Sequence, residues 1–174
     1  MLSEPLCSAS ATKPSSYQGA GAYQYYFMRG YFAIGIYSAK TPANVGGLWR
    51  SAHAMGASYI FTIGARYPAK FKPTDTTKAL KHVPLLEFDT LEEFCKHLPR
   101  DSKLVAVETK QPNSVSLVSF DHPDRAIYLL GAEDRGLSQE ALEISDYIVE
   151  IPTKYCLNVA STGSIILYDR LSKS

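Results

Sequence analysis

Cysteine is scarce: the 174 residues contain three, Cys7, Cys95 and Cys156, with no Cys-x-x-Cys pair and no Cys/His cluster. Such a set builds neither a disulfide framework nor a zinc site, and it fits a reducing, cytoplasmic location. Long apolar runs are lacking too, since the best stretch, Tyr31 to Tyr37, is short and broken by Gly35. A membrane span needs about eighteen apolar residues, so no membrane partner is expected. A secretory leader is not expected either: Glu4 stands where a leader is basic, and Lys13 and Pro14 interrupt any apolar stretch behind it. No strand candidate runs into Gly-x-Gly-x-x-Gly or Gly-x-x-x-x-Gly-Lys-Ser/Thr, and Gly-x-Ser-x-Gly is absent. These absences disfavour an ordinary dinucleotide binder, a P-loop protein and a serine hydrolase. The four histidines, His53, His82, His97 and His122, have no ligand spacing, so no metal is expected.

Acidic residues are rare in the first half of the chain. Residues 1–81 carry nine Lys/Arg against two acids, a net of +7, and residues 82–174 carry nine against fifteen, a net of −6. A split of this size points to one region that faces a polyanion, unless the halves interleave in space and neutralise each other. The length suits one domain with a real core.

Residues 1–28 are rich in Ser, Ala, Gly, Gln and Tyr and have no helical or strand period, so they read as an appended arm. Its tyrosines, with Phe27, suit anchoring to the body or to a second subunit better than stacking on bases. The remainder, residues 29–174, reads as the domain. Predicted strands are Phe32–Tyr37, Tyr59–Gly64, Leu104–Val107, Ala126–Leu130 and Tyr147–Ile151, with Pro84–Phe88 as a further short one. Predicted helices are Val45–Ala57, Thr76–Lys81, Leu91–His97, Gln139–Ile144 and Val159–Leu171. Strands apolar on both faces and alternating with helices describe a mostly parallel α/β sheet flanked by helices.

In such a sheet ligands sit at the carboxyl ends of strands, and three segments there stand out. In Asn44-Val45-Gly46-Gly47-Leu48-Trp49-Arg50, Asn44 suits an N-cap, and Val45, Leu48, Ala52 and Met55 define a buried face. Arg50 lies off that face, beside two glycines that would let a phosphate or sugar approach. The alternative, which this segment taken alone favours, is a solvated helix arginine next to packing glycines. In the second segment, residues 130–138, Gly131 and Gly136 bracket an acidic turn that holds Glu133, and Ser138 is an N-cap candidate. The turn can admit a ligand to the backbone or be a plain solvated βα turn. The third segment, residues 151–164, leads from a strand into a helix whose first turns are small: Ala160, Ser161, Gly163 and Ser164. Asn158 caps that helix by default.

Taken in order, Asn-x-Gly-x-x-x-Arg, Gly-x-Glu-x-x-Gly-Leu-Ser and Ile-Pro…Leu-Asn-Val resemble the signature motifs of SPOUT methyltransferases, specifically the SpoU (TrmH-like) branch of RNA ribose 2′-O-methyltransferases. The resemblance covers residues 31–171. It implies a fold that periodicity does not show, a sheet whose C-terminal part is threaded into a deep trefoil knot. It also implies S-adenosylmethionine as cofactor and a homodimer with the site at the subunit interface. Carried over by motif, the cofactor contacts are Val107, Glu108 and Thr109, then Gly131 and Ile151, then Cys156 and Leu157. This chain departs from the pattern at Cys156, where relatives have Ser, and in the short loop before it.

The implied catalytic set is Arg50 with Asn44, Glu133 and Asn158 positioning the ribose and the loop. A guanidinium keeps its proton in proteins, so Arg50 suits holding a phosphate and stabilising a nascent alkoxide better than acting as a base. RNA contacts are expected on the basic half, from Arg66, Lys70 and Lys72 with Tyr67 and Phe71 stacking, although two buried aromatics in a solvated loop would look the same. The RNA is tRNA or rRNA, with tRNA favoured because the chain is small. The rival reading is a catalytically inactive knotted RNA-binding or assembly protein that keeps the cofactor pocket.

Overall fold

The structure, a computed structural model, describes residues 30–67 and 81–173. The expected arm, the predicted helix Thr76–Lys81 up to residue 80, and Lys70, Phe71 and Lys72 lie outside the described residues. The strands are β1 (Tyr31–Tyr37), β2 (Tyr59–Ile63), β3 (Leu85–Phe88), β4 (Lys103–Val107), β5 (Val115–Ser116), β6 (Arg125–Gly131) and β7 (Tyr147–Glu150). The helices are α1 (Pro42–Ala54), α2 (Leu91–Lys96), α3 (Gln139–Glu143) and α4 (Val159–Ser172). The strands make one sheet in the order β3-β2-β1-β6-β4-β7-β5, and every pairing is parallel.

Successive side chains of a strand point to opposite faces, and here each face has its own core. Phe32, Ile34 and Ile36 of β1, with Tyr128 and Leu130 of β6, pack against α1 and α4 through Val45, Leu48, Trp49, Ile166 and Leu167. Ala33 of β1, with Ile127 and Leu129 of β6, packs on the other face with Leu91 and Phe94 of α2 and with Ala141 and Leu142 of α3. This double burial is why the strands read as unbroken apolar runs. Gly35, which interrupts the first run, sits opposite Phe61, and a Cβ there would come within 2.4 Å of the Phe61 ring. The gap lets Phe61 stack on Phe94 with ring centroids 4.7 Å apart.

Three local expectations need correction. First, α1 begins at Pro42, with Thr41 as the residue before it, so Asn44 is not its N-cap. Proline is pre-set for the first helical position and has no N–H to satisfy there, which places the start ahead of Asn44 and frees the Asn44 side chain for long-range contacts. Second, Gly46 is buried and a Cβ on Gly47 would lie 3.1 Å from the Ala160 Cβ, so the glycines are where α1 packs on α4 rather than a bare surface for phosphate. The small residues of α4 serve the same contact: a Cβ on Gly163 would come 2.3 Å from Leu48 Cδ1, and the Ser164 and Ser51 hydroxyls bond at 2.7 Å. Third, the sequence reading has no strand between Leu104–Val107 and Ala126–Leu130, whereas Val115–Ser116 forms β5, too short to show a period.

Candidate cofactor cavity and polar cluster

The carboxyl ends of β4, β6 and β7 enclose a cavity of about 660 Å³. Residues 107–109, leaving β4, form one wall, with Val107 buried and Glu108 and Thr109 half-buried. Gly131, at the end of β6, and the turn that follows form the second wall, and Ile151, Cys156 and Leu157 close the third. All seven residues assigned to a cofactor by motif therefore meet around one space. Leu130, Ala132, Leu137 and Val159 also line it. The sequence reading left these four out, although all flank the motif glycines or Asn158.

The turn at residues 131–136 is shaped by its two glycines. A Cβ on Gly131 would come 2.4 Å from the Gly136 carbonyl carbon, and Gly136 has φ +64°, where a side chain is strained. A Cβ on Gly136 would also fall 2.6 Å from Glu108 Oε2. That carboxylate is engaged on both sides, since Oε1 accepts from Thr109 N at 3.0 Å and Oε2 accepts from Leu137 N at 2.8 Å. Glu108 thus ties the β4 wall to the base of the turn.

At the rim, three residues distant in sequence, Asn44 in the first turn of α1, Glu133 in the turn after β6 and Asn158 at the cap of α4, form one hydrogen-bonded cluster. Asn44 Nδ2 donates to Glu133 Oε1 at 3.2 Å, Asn158 Nδ2 donates to the same oxygen at 2.6 Å, and Asn158 Nδ2 also reaches Asn44 Oδ1 at 3.0 Å. Asn158 keeps its capping role, its Oδ1 accepting from Ala160 N at 2.9 Å and Ser161 N at 3.4 Å. Among the described residues Glu133 Oε2 accepts no hydrogen bond, which leaves it open to a ligand. Arg50 is exposed on α1 and lines no part of the cavity. It follows Asn44 by six positions, about 9 Å along the helix and roughly a third of a turn around it. The structure therefore unites Asn44, Glu133 and Asn158 and leaves Arg50 outside that cluster, without a hydrogen bond or ion pair among the described residues.

The basic segment after β2 differs from expectation where it is described. Arg66 is not a free cation: its Nη1 and Nη2 donate to the two carboxylate oxygens of Asp134 at 3.0 and 2.6 Å, and its Nε donates to Ser38 O at 2.9 Å. The guanidinium holds the Asp134 carboxyl down to about 2, well below the ordinary carboxylate range. Lys40 lies 3.9 Å from the same carboxylate, so two cations of the basic half face an acid of the acidic half. Tyr67 packs against the core on the α1 side, and its burial pushes the phenol up rather than leaving the ring open to bases. Charges distant in sequence carry no periodic signal, which hid this pairing.

Comparison with known proteins bears on the whole domain. Residues 31–168 match the SpoU rRNA Methylase family. The chain belongs to that family. A 23S rRNA (uridine(2479)-2′-O)-methyltransferase of Streptomyces viridochromogenes is 27% identical over 139 residues, covering 74% of this chain and 48% of its own length. A tRNA (guanosine(18)-2′-O)-methyltransferase of Escherichia coli K12 is 24% identical over 131 residues, covering 74% of this chain and 57% of its own length. The chain thus spans about half the length of these curated relatives. A SpoU methyltransferase of Streptomyces viridochromogenes, solved in complex with AdoMet, superposes with TM-score 0.71 at 23% identity over 83% of this chain and 58% of that one. That likeness fixes the fold as a SPOUT-type parallel sheet flanked by helices. Among the described residues no helix is long and apolar enough to cross a membrane, and no group of three His, Cys, Asp or Glu is placed to hold a metal.

Proposed function

We propose that this chain transfers a methyl group from S-adenosylmethionine to a ribose 2′-hydroxyl of RNA, with tRNA the first pool to test. The observation that carries the proposal is the convergence of Asn44, Glu133 and Asn158 on one carboxylate oxygen at the mouth of a cavity lined by the seven motif residues. The tRNA choice draws support from the relative that acts on tRNA guanosine 18.

The residues present fit the cofactor. The volume, about 660 Å³, falls within the ~300–1,000 Å³ usual for small-molecule sites. Gly131 and Gly136 let the turn close on itself and on Glu108, where a Cβ would collide, and residues 131–137 of this tight turn line the cavity. Leu130, Leu137, Ile151 and Leu157 offer apolar surface for a purine ring, while the carboxylate of Glu133 suits a cationic neighbour. When bound there, S-adenosylmethionine supplies an electrophilic methyl group on a sulfonium.

The protein's own part is positioning and charge stabilisation. The two asparagine amides fix Glu133 so that its open Oε2 can accept the hydrogen bond of a ribose hydroxyl and take up its proton as the methyl group is transferred to the oxygen. Arg50, exposed on α1 and away from that cluster, holds an RNA phosphate, and across the subunit interface of the dimer proposed below it steadies the oxygen as negative charge develops. Lys70, Lys72 and Phe71 remain proposed RNA contacts, whereas Arg66 and Tyr67 have partners within the chain.

A homodimer belongs to the same proposal. α4 presents Ile165 and Tyr168 outward, the latter 67% exposed, and Tyr155 in the loop before it is 74% exposed. A second copy would cover this apolar surface, which borders the cavity through Leu157. The C-terminal knot is proposed likewise, supported by β4, β6 and β7 lying out of chain order while α4 returns to pack on α1.

The test is transfer of labelled methyl from S-adenosylmethionine to separated tRNA and rRNA pools, wild type beside Arg50→Ala, followed by nucleoside analysis. Label in a 2′-O-methyl nucleoside that vanishes in the variant supports the proposal. Absence of label in both pools, with cofactor binding intact, favours an RNA-binding protein that has lost transfer.

A further inference from the structure

The turn that carries Glu133 is anchored twice, by separate devices. Its base is closed by Gly136 N donating to Ala132 O at 2.8 Å and by Leu137 N donating to Glu108. Its tip has one long main-chain bond, Arg135 N donating to Ala132 O at 3.3 Å, and otherwise side-chain support. Asp134, next to Glu133, takes both terminal nitrogens of Arg66, while the third nitrogen, Nε, donates to Ser38 O in the loop after β1. The backbone of Arg66 is itself pinned, with its N donating to Ala39 O at 2.8 Å. Ser38 is equally fixed, donating to Ile63 O at 2.6 Å in a left-handed conformation with φ +56°. One guanidinium thus joins the loops that follow β1, β2 and β6.

A planar fork sets the orientation of the carboxylate it grips, which a point charge does not. Lys40, at 3.9 Å, supplies attraction to Asp134 but no such plane. Adjacent residues in a tight turn have coupled directions, so fixing Asp134 on one side fixes where Glu133 points on the other. We propose that Arg66 is a positioning residue: through Asp134 it holds the Glu133 carboxylate in register with Asn44 and Asn158. The proposal rests on the reading that Glu133 belongs to the reacting site.

Four variants test it: Arg66→Gln, Arg66→Lys, Asp134→Asn and the double variant Arg66→Gln/Asp134→Asn. Amide hydrogen exchange of residues 131–137 in the full chain reads the latch without any need for activity. Each single substitution is expected to speed exchange of the Arg135 and Gly136 amides, which donate to Ala132 O, about tenfold and to lower kcat about tenfold, with KM for RNA nearly unchanged. Arg66→Lys keeps the charge but not the fork, so it stays defective. The double variant is expected to be no worse than either single one, because both remove the same link.

A phosphate-binding Arg66 gives the opposite pattern. Arg66→Gln would then raise KM for RNA, and Asp134→Asn, by removing an acid, would lower it or leave it alone. Either result, or unaltered exchange at the tip, overturns the proposal. If the wild-type chain transfers no methyl group, the reading of the site fails, and the exchange data still decide the latch: faster exchange in both single variants supports it.

Discussion

Asn158 donates through Nδ2 to Glu133 Oε1 at 2.6 Å while its Oδ1 caps the N-terminus of α4. The cap and the site are therefore one residue, and the direction of α4 is tied to the turn after β6. The two roles separate by substitution. Asn158→Ala loses both, and removal of a cap costs about 0.5–2 kcal/mol, or a few degrees in Tm for a chain of this size. Asn158→Ser restores the cap oxygen but not the amide donor. The expected outcome is a Tm for Asn158→Ser close to wild type, with methyl transfer as low as in Asn158→Ala. Recovery of activity by serine would show that Glu133 needs no donor from this position.

Gly131 gives a second prediction. Alanine there drives a methyl group to within 2.4 Å of the Gly136 carbonyl carbon, a contact with backbone that only a shift of this cavity-lining turn relieves. Gly131→Ala is expected to weaken S-adenosylmethionine binding at least tenfold, about 1.4 kcal/mol, in isothermal titration calorimetry. Ala132→Gly, one residue on, introduces no such collision. Equal affinities of wild type and Gly131→Ala would show that the ligand does not lie against this turn.

Much of the fold is legible in the sequence because β1, β4 and β6 are buried on both faces, so Phe32 to Ile36 and Ala126 to Leu130 leave little but strand to read. The cavity wall is legible for a related reason: its residues sit just past strand ends. The start of α1 is not, because a good cap residue, Asn44, follows a better start signal, Pro42, by two positions. The Arg66–Asp134 pair spans 68 residues between two loops, and nothing local at either end marks it. The same holds for the cluster at Glu133, whose 89- and 25-residue separations become visible only through motif order or in three dimensions.

Away from the site, His122 predicts a pH dependence of stability. Its Nε2 faces Asp169 Oδ2 at 2.9 Å and its Nδ1 faces the Tyr128 hydroxyl at 2.6 Å. Burial pushes the imidazole below its ordinary value against the pull of Asp169, and Arg170 and Lys173 of α4 push the same way as burial. Burial also raises the Tyr128 phenol to about 12, so it keeps its proton and donates to Nδ1, while Nε2–H points to Asp169. The unfolded chain takes up a proton near pH 6.5, where the folded chain resists it, so folding is favoured above that pH and loses stability as pH falls through it. Wild type is expected to lose more Tm between pH 7 and pH 5 than His122→Gln. Parallel losses in the two proteins would place the acid sensitivity elsewhere.

Arg50 is the sharpest test of the chemistry, because it is exposed and no hydrogen bond or ion pair among the described residues depends on it. Its substitution is expected to leave stability within about 0.5 kcal/mol of wild type, so any loss of activity reflects function rather than folding. Arg50→Lys retains a cation on a long stem but loses the planar, multi-donor head that can hold a phosphate and a developing oxyanion together. If both contacts are needed, Arg50→Lys is expected to reduce kcat about a hundredfold, close to Arg50→Ala, with KM for RNA less affected than kcat. If positive charge alone suffices, the lysine variant keeps most of the rate while Arg50→Ala does not. If both variants keep the rate, Arg50 is a solvated helix residue and the oxyanion must be stabilised from the cluster at Glu133 or from a second copy of the chain.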